Sequence, residues 1–124
     1  MTPPRLPGLG HVVWAEIADA NGIRKRRPAV VVSASAEISA GQAVRLAAIT
    51  TRLPAPLPAD HVLLPWDGQG RARTGLRQRS AAVASWLVEV NVADIQETVG
   101  HLPPAVLTEL VDKVTAFLAS PPNH

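Results

Sequence analysis

Two stretches of this chain place reactive side chains at the end of an apolar run: RKRRPAVVVS (Arg24 to Ser33) and AVRLAAITTR (Ala43 to Arg52). In the first, four consecutive cations lead into Pro28 and a valine-rich strand. In the second, the apolar strand runs out into Thr50, Thr51 and Arg52. Two neighbouring strands of this kind bring a guanidinium and a hydroxyl to the rim of one sheet, an arrangement suited to a phosphodiester. A guanidinium gives bidentate hydrogen bonds to phosphate oxygens and hardly ever deprotonates, so charge stabilisation is its natural role. Arg24, Lys25 and Arg26 read as cations of a solvated loop. Arg27 abuts Pro28 and the strand, which fixes its backbone. Thr50 and Thr51 suit a strand end and its turn equally well.

A second basic cluster, Arg71, Arg73, Arg77 and Arg79, lies in the Gly-containing stretch WDGQGRARTGLRQRS (Trp66 to Ser80). It fits a flexible loop tracking phosphates, and equally a solvated linker. With three Trp, one Phe and no Tyr, the chain lacks the aromatic supply of an extended base-stacking platform. Trp66, beside Asp67-Gly68 at a loop mouth, can stack one base; Trp14 and Phe117 read as core. There is no phosphate-binding Gly loop followed by Lys and Ser or Thr, no nucleophile elbow and no poised pair of carboxylates. The chain has no Cys, hence no disulfide framework and no thiolate metal site, and its four His show no metal-ligand spacing. No metal or other cofactor is expected.

The elements that must position these residues follow from periodicity. HVVWAEI (His11 to Ile17) reads as a strand and DANGIRKR (Asp19 to Arg26) as a polar loop with an Asn21-Gly22 turn. PAVVVSA (Pro28 to Ala34) reads as a central strand, AVRLAAIT (Ala43 to Thr50) as the next, and HVLLP (His61 to Pro65) as a short one. AAVASWLVEVNV (Ala81 to Val92) reads as a strand that bends near its middle. From Pro104 the apolar residues Val106, Leu107, Leu110, Val111, Val114, Phe117 and Leu118 recur at three- and four-residue spacing, one face of a helix stopped by Pro121-Pro122. The 124 residues therefore form one mainly β domain with a C-terminal helix, preceded by a flexible arm over residues 1–9.

Charge is distributed unevenly. Residues 1–80 hold eleven Lys or Arg and five Asp or Glu (+6), and residues 81–124 hold one and five (−4), which together give the net +2. The basic part suits a polyanion. The N-terminus lacks the apolar core of a signal peptide, and no apolar run is long enough to span a bilayer. A cytoplasmic protein with no membrane partner is expected.

Taken in order, GHVVWAEI, RRPAVVVS, VRLAAITTR, TGLRQRSAAVASWLVEV, a Gly-His-Leu and a final helix resemble the MazF/PemK toxins of type II toxin–antitoxin systems, from Gly10 to about Leu118. The resemblance implies an SH3-like small β-barrel, the MazF/PemK/CcdB-like toxin fold, in a homodimer. It implies a metal-independent endoribonuclease that cuts single-stranded RNA at short motifs, leaving 2′,3′-cyclic phosphate and 5′-hydroxyl ends, and that is held by a cognate antitoxin. Matching the family's Arg-Pro and AAIT pieces assigns catalysis to Arg27 and Thr50. Arg24, Lys25, Thr51, Arg52, Arg73, Arg77, Ser85 and Trp86 then fall along the RNA path. Three positions depart from the family pattern: His11 replaces an Asp, NGIRKR replaces a Gly-Ser-Glu-Gln-like stretch, and Ser85-Trp86 replaces Asp-Gln. His11 is a candidate proton-transfer group in place of the lost carboxylate. The Ser85-Trp86 change also keeps two other readings open: a toxin of this architecture that poisons DNA gyrase by contact, and a degenerate nucleic-acid-binding member.

Overall fold

The computed structural model describes residues 7–19, 21–33, 38 and 42–119. Its strands are β1 (His11–Ala18), β2 (Arg24–Val31), β3 (Ala43–Thr50), β4 (His61–Leu64), β5 (Ser80–Asn91) and β6 (Glu97–His101), followed by helix α1 (Pro104–Ala119). They form one antiparallel sheet in the order β4-β5-β3-β2-β1-β6. Alternate side chains of a strand face opposite sides. The near-continuous apolar runs of β1, β2 and β3 are explained by burial on both. Val12, Val30, Ala47 and Ile49 pack on one face with Leu110 and Val114 of α1. Val13, Ala29, Val31, Leu46 and Ala48 pack on the other, with Val88 and Val90 of the adjacent β5 beside them.

One feature of the register positions the site. β2 pairs with β1 from Arg24↔Ala18 to Val30↔Val12 but with β3 only at Ala29, Val30 and Val31. On its other edge β3 pairs with β5 along its whole length, from Ala43↔Asn91 to Thr50↔Ala81. Ala47 faces Leu87, yet Ile49, two residues on, faces Ala82, five residues back, so three residues of β5 are extra at this point. The bulge bends β5 near its middle, as the sequence suggests. Between the diverging β2 and β3 a cleft of about 920 Å³ opens.

The cation run differs from expectation. Arg24, Lys25 and Arg26 are not in a loop but form, with Arg27, the first half of β2, because the turn closes early, at Asp19–Ile23, and β1 continues to Ala18 as its partner. Strand alternation then puts Arg24 and Arg26 on one face, Lys25 and Arg27 on the other. β6 is a strand that the sequence reading does not anticipate.

The stretch 65–79 is also more ordered than a flexible loop. The Asp67 carboxylate accepts from the backbone N–H groups of Gln69 and Arg71, and buried Thr74 donates to the Pro65 carbonyl at 2.7 Å. His101 N–H donates to the Arg73 carbonyl at 2.9 Å, so this stretch bridges the edge strands β4 and β6 and gives the sheet its small-barrel form. Gly100 permits the contact: a Cβ there would collide with the Arg73 carbonyl oxygen.

α1 begins where expected. The Pro103 carbonyl accepts from Leu107 N–H, and Pro104 occupies a first-turn position that has no N–H partner to lose. Phe117 corrects the sequence reading: it is exposed, with Leu118, because the helix meets the core through Leu110 and Val114, with Val106 and Leu107 beside them, and its last turn extends past it. The Pro121-Pro122 stop lies outside the described residues. So do residues 1–6 of the expected arm; Pro7, within it, is buried. Among the described residues no helix is long and apolar enough to cross a membrane.

Candidate active site

The cleft lies where β2 and β3 part, and it gathers most of the side chains singled out by sequence. Arg27, Thr50, Thr51 and Arg52 line it, with Lys25, Arg77 and Trp86. Arg24, Arg73 and Ser85 do not. The Arg24 side chain is exposed on the opposite face of β2, 4.0 Å from Glu16. Arg73 is exposed in the bridging loop. Ser85 turns away, donating its hydroxyl to the Asp60 carboxylate.

Arg27 is the best-fixed cation of the run. Its guanidinium lies over the Trp86 ring, 5.3 Å from the centroid, and its Nη2 is 3.8 Å from Asp19 Oδ2. Its Nε is buried and has no hydrogen-bond partner among the described residues. The side chain as a whole lines the cleft and keeps 25% of its surface exposed, so the outer part of the guanidinium, not the buried Nε, can meet an anion. Trp86 is itself anchored: its indole N–H donates to the Ala18 carbonyl at 3.3 Å. Across the cleft, Thr50 Oγ1 accepts from Arg52 N–H at 3.1 Å. The Thr50 hydroxyl hydrogen therefore remains available to donate.

Asp19 is held by local geometry. Its Oδ1 accepts from Asn21 N–H at 2.9 Å and Ile23 N–H at 3.0 Å, closing an Asx turn at the start of the hairpin. The Ile23 N–H, then that of Asn21 and the charges of Arg27 and Lys25, hold its carboxyl below its ordinary value against the opposing effect of burial. Asp60 is likewise held low, chiefly by the Ser85 hydroxyl and then by His61.

Charge satisfaction divides the basic residues. Arg26 and Arg45 pair with Glu97 and Glu89. Among the described residues Lys25, Arg52, Arg71, Arg73, Arg77 and Arg79 form no ion pair, and three of these line the cleft. The cleft therefore presents uncompensated positive charge. Arg77 is seated against Gly70, whose missing side chain leaves it room. Residues 9–118 match the family described as the PemK-like, MazF-like toxin of type II toxin–antitoxin systems.

The chain belongs to the PemK/MazF toxin family. Its fold agrees. MazF of Deinococcus radiodurans superposes with a TM-score of 0.74 at 23% identity, covering 94% of this chain and 100% of that one. A chain of the MazE–MazF complex of the same organism gives 0.69 at 25% identity, with 94% and 98% covered. An endoribonuclease in complex with its cognate antitoxin, from a mycobacterial species, gives 0.67 at 17% identity, with 94% and 99% covered. No curated protein sequence matches this chain closely enough to be called a relative.

Within this PemK/MazF toxin the structure brings in residues that the sequence reading leaves out. Trp14, read as core, lines the cleft beneath Arg26, whose guanidinium is 4.5 Å from its ring centroid. Asp19 reads in sequence as the start of an Asn-Gly turn, and its sole further signal is its place eight residues before the Arg-Pro pair. Trp66 is exposed but outside the cleft. His11 is also outside it; its Nδ1 accepts from Gly8 N–H at 2.8 Å.

Proposed function

We propose that this family member is a metal-independent endoribonuclease that cuts single-stranded RNA at a short sequence motif. The 2′-hydroxyl attacks the adjacent phosphorus and leaves 2′,3′-cyclic phosphate and 5′-hydroxyl ends. The observation that carries this reading is the guanidinium of Arg27, seated on Trp86 and lining one cleft with Thr50 and with Lys25, Arg52 and Arg77, which form no ion pair among the described residues. A dianionic phosphorane binds such a site more strongly than the monoanionic phosphodiester does, and stronger binding of the transition state than of the ground state is catalysis. Arg27 stabilises the developing charge and Thr50 orients the phosphate. Lys25, Thr51, Arg52 and Arg77 attract and align the strand, with Arg24 and Arg73 further out along it.

Trp86 acts here as the seat of Arg27, and Ser85 as the tie that fixes the strand beneath it. The indole is half-buried against a guanidinium and tied to Ala18, which leaves little of it as an anchor for a protein target such as gyrase. The protein acts as a cytoplasmic homodimer, and an acidic segment of its cognate antitoxin neutralises the basic cleft. The matched structures include toxins bound to antitoxins, which supports that partner class.

The test is incubation of the purified protein with mixed-sequence RNA in excess EDTA, followed by mapping of the cut ends. Discrete cuts with 5′-hydroxyl termini are expected. A folded protein that binds RNA and leaves it intact overturns the reading.

A further inference from the structure

We propose that Asp19 is a catalytic residue, with Oδ2 the atom that accepts the proton of the attacking 2′-hydroxyl. The assignment rests on the ribonuclease reading. It fills a role that this chain otherwise leaves empty: cleavage by a 2′-hydroxyl needs a proton acceptor, and the Ser85-Trp86 pair supplies none. Ser85 is turned away toward Asp60. His11 is bonded to the Gly8 backbone outside the cleft.

Among the described residues the cleft lining holds two carboxylates, Asp19 and Glu97, and no histidine. Glu97 is engaged by Arg26 Nη2 at 3.0 Å, on the face of β2 opposite Arg27. Asp19 stands beside Arg27, and its two oxygens are unequal. Oδ1 is taken by two backbone N–H groups, which fix the plane of the carboxylate; Oδ2 is left with lone pairs 3.8 Å from Arg27 Nη2. A phosphate held by Arg27 brings its neighbouring ribose to that oxygen. The step balances. The O2′–H proton passes to Oδ2 as O2′ bonds to phosphorus, and the P–O5′ bond breaks with its electron pair. O5′ takes a proton from water, and Asp19 returns its own to the hydroxide so formed.

A carboxylate held below its ordinary value is a weak base, so the effect lies near the lower end of general-base contributions, about 100-fold. The alternative role for the same contact is inhibitory, with Asp19 competing with phosphate for Arg27. The two roles predict opposite signs.

The test compares wild type, Asp19→Asn and Asp19→Glu, each checked for native melting, in single-turnover cleavage of RNA. Binding is measured separately on the same strand carrying a 2′-deoxyribose at the cut position. Asn preserves the Oδ1 acceptor and hence the turn. Asp19→Asn is expected to cleave about 100-fold more slowly while binding the uncleavable strand as tightly as wild type or more so. Asp19→Glu, which retains a carboxylate, recovers part of the rate. A residue needed only for the turn would give the reverse order, with Asn active and Glu impaired. Asp19→Asn cleaving at or above the wild-type rate overturns the assignment and leaves the ribonuclease reading standing. A wild-type protein that binds RNA and cuts nothing removes both.

Discussion

Arg26 and Arg27 are neighbours in sequence and opposites in circumstance. Both sit over an indole, Arg26 on Trp14 and Arg27 on Trp86. Arg26 is bonded into the protein: Nε donates to Gln96 at 2.9 Å and Nη2 to Glu97 at 3.0 Å, clamping β6 beside the hairpin of β1 and β2. Arg27 has a single carboxylate at 3.8 Å and an Nε with no partner among the described residues. Composition treats the two alike; one step along a strand separates them by a whole sheet face. A guanidinium hydrogen-bonded into its own fold contributes to structure, and one held by a ring face and a carboxylate at 3.8 Å keeps donors for a ligand.

The strongest way to break this comparison is to remove the unsatisfied member. Arg27→Ala is expected to lower the cleavage rate about 100- to 1,000-fold, the loss typical of one transition-state donor, with little change in melting temperature. Thr50→Val keeps the strand-favouring shape and removes the hydroxyl. One hydrogen bond to a charged group is worth about 1.5–3 kcal/mol, so a roughly 10- to 150-fold slower kcat is expected in single-turnover assays. Trp86→Ala leaves Arg27 unseated. A cation–π contact of about 1 kcal/mol corresponds to a loss of about fivefold, and Trp86→Phe, which keeps a ring face, recovers much of it.

The smaller effects concern structure. Arg26→Ala is expected to leave cleavage within a few-fold of wild type and to lower stability by about 1 kcal/mol or less in denaturant titration, because its ion pair is exposed. Ser85→Ala removes the main cause of the low Asp60 pKa. A carboxylate whose folded pKa is depressed stabilises the fold above its unfolded pKa, and that stabilisation fades as pH falls through the folded value. The variant should therefore be slightly less stable than wild type at pH 7, with the gap closing as pH falls below the ordinary carboxylate range. A gap that persists in acid would show that Ser85 acts through packing instead.

How much of this is legible in the sequence depends on the range of the interaction. The meeting of Arg27 with Thr50 is legible because both ends are marked locally, by Pro28 before a valine run and by a Thr pair after one. The length of β2 is not. Arg24 to Arg27 have weak strand preference of their own and are held extended by pairing with β1, a contact that runs to Ala18. β6 escapes notice because Glu97, Thr98 and His101 are exposed and Gly100 interrupts the run; it is extended by pairing with β1, from His11↔His101 to Trp14↔Glu97, far away in sequence. Trp14 looks like core because tryptophan is apolar, but alternation along β1 sets it on the face of Arg26 rather than that of Ile17. Asp19 is masked by its own turn chemistry, since an Asp two residues before Asn-Gly is sufficiently explained by the backbone.

The most direct measurement is cleavage of one RNA, in excess EDTA, by the wild-type protein, Arg26→Ala and Arg27→Ala side by side, with the cut ends mapped. The account predicts 5′-hydroxyl ends at the same positions from wild type and Arg26→Ala, at rates within a few-fold, and a loss of at least about 100-fold for Arg27→Ala. Equal losses in the two variants, or undiminished cleavage by Arg27→Ala, would contradict it.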